Sequence, residues 1–194
     1  PKKIEDWDIE RIIKDFADAA ERMKAGGMDG VELEAYGHLI DQFASPVTNE
    51  LDAPYGGSLE NRMKFCFDVF SAIRKRVGED FILGVRYTAD ECLEGGTGKA
   101  EGLEISRRLR DSGLIDYLNV IRGHIDTDPG LTDLIPIQGM ANSPHLDFAG
   151  EVRADLFWGT GEAAGQLAGD MKQQGQIWML WPKGAALPQV PETL

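Results

Sequence analysis

A chain of 194 residues that is 42% hydrophobic can bury a substantial core, and neither disorder nor a collagen-like repeat fits that composition. A formal net charge of −13 opposes a nucleic-acid partner, because phosphate backbones draw affinity from clustered Lys and Arg. Two cysteines make neither a disulfide framework nor a zinc spacing, no run is long and apolar enough to span a bilayer, and residues 1–15 are too charged for a secretory leader, so a cytoplasmic setting is expected.

The spacing of Ile9, Ile12, Ile13, Phe16, Ala19, Ala20 and Met23 predicts an amphipathic helix over 8–25, capped by Asp8 and stopped at Gly26–Gly27. A strand follows at 30–35, where Val31, Leu33 and Ala35 alternate with Glu32, Glu34 and Tyr36. One face can pack and the other can carry chemistry. The chain then makes a long excursion through Gly37 and the turn-rich run Ser45–Gly57, and Ser58 caps the next helix. A connection of that length in a compact domain is usually functional.

Leu59, Met63, Cys66, Phe67, Phe70, Ile73 and Val77 give the helix at 58–77 its apolar face, with Cys66 as a core thiol. Residues 80–87 (DFILGVRY) form a near-continuous apolar run, the pattern of a parallel strand covered on both sides and ended by Arg86. A looser helical spacing covers 99–112, a third strand covers 115–123, DTDPGLTD is a loop, and a short helix is expected over 146–153. Beyond residue 154, LFWGTG and QIWMLW read as strands around a helical EAAGQLAGDMKQQG, either as a diverged ending of the same fold or as a foreign segment.

Strands alternating with helices imply a parallel α/β sheet. A (β/α)8 TIM barrel is favoured over an open doubly wound sheet because each strand delivers polar groups at its C-terminal end: Glu34 and Tyr36, then Arg86, then His124. Three strands fall short of eight, so residues 1–153 read as part of a barrel and 154–194 as a separate tail. Arg86 points inward by alternation, either to pair with Glu34 or to stabilise an anion, and the second role is favoured. His124 alone reads as a surface loop histidine and His145 as structural. The glycines of WGTGEAAG lack the acidic residue a dinucleotide site needs, and EGGTGKAEG departs from a phosphate loop at Leu93 and Ala100.

Over 28–62, MDGVELEAYGHLIDQFASPVTNELDAPYGGSLENR resembles the NADH:flavin oxidoreductase family, the old yellow enzyme-like FMN barrels. The likeness runs through Asp41-Gln42-Phe43, Ser45-Pro46, Asn49 and Tyr55 to Arg62. GVR at 84–86 is similar to the family's fifth strand and IDYLNVIRGH to its sixth, so the resemblance spans about residues 8–153. It implies FMN at the C-terminal mouth of the barrel, reduced by NAD(P)H or by a small-molecule substrate, with Arg86 facing flavin N1 and C2=O. Where many members carry a His/His or His/Asn pair followed by Gly-Tyr, this chain has Glu34, Tyr36 and His38. A carboxylate and a phenol suit an amine, which resembles the amine dehydrogenase and N-demethylase branch. Tyr36, His38, His124 and Glu34 would then form the substrate wall. Two rivals stay open: an enone or 2,4-dienoyl reductase on the same barrel, and a silent remnant that binds no flavin. The family's first three strands are expected upstream of Pro1, and a reading-frame change is expected near Ala154.

Overall fold

The structure, a computed structural model, describes residues 3–125, 127–140, 145–158 and 179–180. In chain order these form α1 (Asp6–Ala25), β1 (Gly30–Ala35), α2 (Leu39–Ala44), α3 (Leu59–Val77), β2 (Ile82–Asp90), α4 (Lys99–Asp111), β3 (Tyr117–Arg122), α5 (Asp128–Leu134), α6 (Leu146–Trp158) and β4 (Met179–Leu180). The order β1-β2-β3 is parallel and sequential, with Glu34 beside Arg86 and Arg86 beside Asn119 in register. It is the βα repeat of a partial TIM barrel.

Alternation divides the sheet into two faces. Leu33 and Ala35, Leu83, Val85, Tyr87 and Ala89, and Leu118 and Val120 belong to one buried core with residues of α1, α3 and α4. The opposite face carries Glu32 and Glu34, Gly84 and Arg86, and Tyr117 and Asn119, which in a barrel look toward the interior. Helix α3 is buried more widely than its spacing suggested, since Phe65 and Val69 are as enclosed as Phe70 and Ile73. The reason is α2: Phe43 stacks on Phe65 with ring centroids 4.1 Å apart, covering a side of α3 that a single stripe leaves bare.

Several expectations are corrected. Glu5, not Asp8, is the N-cap of α1; Asp8 sits at N3 and its carboxylate accepts from the Glu5 N–H at 3.1 Å. Met23 is 49% exposed rather than part of the packed face. Strand β2 continues to Asp90, so Arg86 stands in mid-strand, because pairing to β3 extends through a bulge to Asp90 beside Arg122. DTDPGLTD contains α5, started by Thr127, whose hydroxyl accepts from the Gly130 N–H at 3.1 Å. Leu156, Phe157 and Trp158 belong to α6 instead of a strand, and the strand expected in QIWMLW is the two-residue β4, which runs antiparallel to β3. Ala154 and Asp155 also belong to α6, and the other residues of that tail lie outside those described.

At the N-terminal end of the sheet, buried Arg74 ties α3 to both following connections. It donates to the carbonyls of Leu114 (2.9 Å), Phe81 (2.6 Å) and Gly78 (3.0 Å) and pairs with Asp116 at 2.8 Å. Asp116 in turn accepts from the Leu83 N–H at 2.7 Å. This fixes the end of the barrel where stability residues gather and leaves the other end for chemistry.

Candidate active site

The long connection after β1 is held by its own polar side chains. Asn49 donates to the carbonyls of Phe43 and Tyr55 at 2.6 and 2.7 Å and accepts from the Leu51 N–H at 2.9 Å. Buried Arg62 donates to Ala44 O (2.8 Å) and Gly57 O (2.9 Å) and pairs with Glu101 of α4. Asn61 donates to Gly56 O at 3.0 Å, and the Tyr55 hydroxyl donates to Asp68 at 3.0 Å. Most of the recognisable motif at 41–62 therefore builds a scaffold, and the polar chemistry lies on the interior face beside it.

On that face Arg86 is the fixed cation. Its Nη2 lies 2.9 Å from Glu32 Oε1, with the guanidinium side chain 38% exposed toward the interior. The ion pair weighed for Glu34 beside the favoured anion-stabilising role is thus made by Glu32, two residues earlier on the same face. Asn119 donates to Glu32 Oε2 at 3.2 Å, and Tyr117 stands on the same face as that carboxylate. Burial, then the Glu32 carboxylate, pushes the Tyr117 pKa up to about 12. Gly84 makes room for this arrangement: a Cβ there would sit 2.1 Å from the Tyr117 ring.

Tyr36 extends the same face beyond β1. The Glu34 carboxylate, followed by burial, raises the pKa of its phenol above the ordinary value, and the Arg86 guanidinium works against that rise. Tyr36 therefore holds its proton more firmly than a free phenol. His38 is exposed at the head of α2, its ring 6.3 Å from that of Tyr36. Between them Gly37 adopts φ +61° and donates its N–H to Asp41 at 2.7 Å; a Cβ there would stand 2.5 Å from Ile125 Cδ1. The connections after β1 and β3 thus touch at the mouth.

His124 is not a surface residue. It is 6% exposed, and its Nε2 lies 3.5 Å from Oε1 of Glu91, itself 1% exposed. The other Glu91 oxygen accepts from Ser45 Oγ at 3.1 Å and the Thr97 N–H at 2.5 Å. His145 is structural, as its sequence context suggested. Its Nδ1 accepts from the Arg122 N–H at 3.0 Å, so the proton sits on Nε2, which faces Leu134 O at 3.0 Å.

The structure therefore gathers Glu34, Tyr36 and Arg86 on one face, sets His38 at its rim, and packs His124 against Glu91. Sequence reasoning passed over Glu32, Tyr117, Asn119 and Glu91. Glu32 shares the alternation that singled out Glu34, and Tyr117 and Asn119 interrupt an otherwise apolar strand at a period of two; only Glu91 carried no signal. The Arg86 side of the face suits the pyrimidine edge of a flavin, since a permanent, partly exposed cation matches carbonyl and ring-nitrogen acceptors. Among the described residues no group of His, Cys, Asp and Glu could hold a metal ion, and no helix is long and apolar enough to cross a membrane.

The family model described as NADH:flavin oxidoreductase / NADH oxidase matches residues 1–126. The chain belongs to that family. Its members bring flavin chemistry to this barrel, and the motif at 28–62 lies wholly within the match. A second model, the 3D domain, matches residues 148–181. A probable N-methylproline demethylase of Rhizobium meliloti is 85% identical over 164 residues, covering 84% of this chain and 24% of that protein. An alignment of that length runs past Ala154. A multifunctional alkene reductase/demethylase of Caballeronia cordobensis is 47% identical over 131 residues, covering 68% of this chain and 19% of its own length. Among solved structures, the old yellow enzyme homologue of Zymomonas mobilis superposes with TM-score 0.58 at 25% identity, covering 78% of this chain and 40% of that one. The chain thus spans about a quarter or less of the curated relatives named here.

Proposed function

We propose that this chain supplies the substrate wall and one flavin contact of an FMN-dependent oxidoreductase that oxidises and demethylates small secondary or tertiary amines. The observation that carries this reading is one strand face that sets Glu34 in register with Arg86, with Tyr36 next along it and a second carboxylate, Glu32, 2.9 Å from the guanidinium. Bound FMN would supply the hydride acceptor, and Arg86 would hold its pyrimidine edge. Glu34 is placed to pair with an ammonium group and to take its proton, while Tyr36 donates to Glu34 and keeps that carboxylate oriented. His38 at the rim would complete the wall. His124, locked against Glu91, would support it from below. The names of the Rhizobium and Caballeronia relatives, both demethylases, support the same substrate class.

The second of those names also joins alkene reduction to demethylation, which favours an enone as an alternative substrate. The test places this segment in a complete barrel, loads it with FMN, and compares N-methylproline, sarcosine and cyclohexenone. Amine oxidation with release of formaldehyde is expected, falling at least roughly tenfold in Glu34→Gln, about the value of one charge-assisted contact. Preference for the enone would transfer the assignment to the reductase. Failure of the purified protein to take up FMN would support the silent remnant.

A further inference from the structure

We propose that Glu32 sets the reduction potential of the flavin site by sharing the charge of Arg86. The inference rests on the reading of Arg86 as the flavin contact and goes one step further, to what that guanidinium can offer. Glu32 Oε1 stands 2.9 Å from Arg86 Nη2, so any group against Arg86 also feels the carboxylate. The pair is built in rather than incidental. Asn119 of β3 donates to Glu32, Gly84 of β2 leaves the space the neighbouring Tyr117 ring occupies, and all five residues rise from three hydrogen-bonded strands. Tyr36, the other neighbour of Arg86, is a neutral donor and cannot play this part.

Two-electron reduction of a flavin places negative charge along the N1 and C2=O edge. A guanidinium facing that edge favours the reduced form. A guanidinium already paired favours it less. Glu32 therefore lowers the potential and eases the passage of electrons to the next acceptor, a role distinct from binding substrate. Sulfite, which adds to flavin N5 and moves an electron pair to the same edge, reads the same local charge without turnover.

The experiment uses the complete FMN-loaded barrel containing this segment and measures midpoint potential and sulfite dissociation constant. Glu32→Gln should raise the potential and tighten sulfite binding roughly tenfold, the scale of one unit charge removed at several ångströms. Glu32→Asp, which keeps the charge, should stay close to the parent. Asn119→Asp adds a carboxylate at the same place and should move both readouts the opposite way; it decides the matter alone if Glu32→Gln does not fold. Arg86→Gln separates the two readings. If it lowers the potential while Glu32→Gln and Asn119→Asp leave it unmoved, the role of Glu32 is overturned and that of Arg86 stands. If Arg86→Gln also leaves the potential unmoved, both fall.

Discussion

Arg62 shows how one side chain can carry a recognisable motif without touching the chemistry. Its guanidinium satisfies Ala44 O, Gly57 O and Glu101 from a buried position, joining α2, the turn before α3, and α4. Replacing it by Ala would leave two carbonyls without donors and a carboxylate without its partner. We expect a loss of about 3 kcal/mol in urea unfolding, and nearly as much for Arg62→Lys, because one ammonium cannot span three acceptors. A loss below about 0.5 kcal/mol, the ordinary range of surface changes, would show the clamp to be dispensable. The residues that do face the interior were only half legible. Alternation along β1 marks Glu32 and Glu34 equally, and nothing in their spacing tells which one meets Arg86. Three-dimensional reach decides it, through a side chain leaning along its strand. His124 misled for a related reason: it is buried beside Glu91, thirty-three positions earlier in the chain, a neighbour no local pattern reveals.

At the level of elements, β1, β3 and α3 announced themselves through periods of two and 3.6, and their boundaries moved by only a few residues. Helices α2 and α5 did not, being six and seven residues long, too short to complete two turns of apolar spacing. Their existence depends on caps and on packing, Thr127 for one and the Phe43–Phe65 stack for the other. Strand β2 ran past its apolar stretch because its neighbour offered partners as far as Asp90. One element contact invites a direct test. Gly84→Ala would drive a methyl group into the Tyr117 ring, so β2 and β3 must separate or the Tyr117 ring must move. Overpacking of this kind costs about 1–3 kcal/mol. The companion change Tyr117→Ala should restore most of the loss in a double-mutant cycle, and strict additivity of the two would contradict the packing.

Taken whole, the molecule keeps all four of its tyrosines protonated more firmly than free phenols. Burial leads for Tyr55, Tyr87 and Tyr117, while the Glu34 carboxylate leads for Tyr36. Because each folded pKa lies above the unfolded value near 10, the folded state binds more protons in that range. The resulting stability is complete below pH 10 and drains away as pH climbs toward about 12, the folded value for Tyr117. Denaturation midpoints should fall steadily over that interval, with phenolate absorbance lagging behind that of the unfolded chain. A flat midpoint, or phenolate appearing first in the folded protein, would contradict the tyrosine environments described.

The same architecture leaves β1 at one rim of the sheet, hydrogen-bonded to β2 on one side and to no other described strand on its far side. Closing a barrel pairs such a rim with a preceding strand through its N–H and C=O groups. Glu32 and Glu34 stand on a face of β1 and not on that hydrogen-bonding edge, so whichever strand completes the ring leaves both carboxylates pointing where they point now.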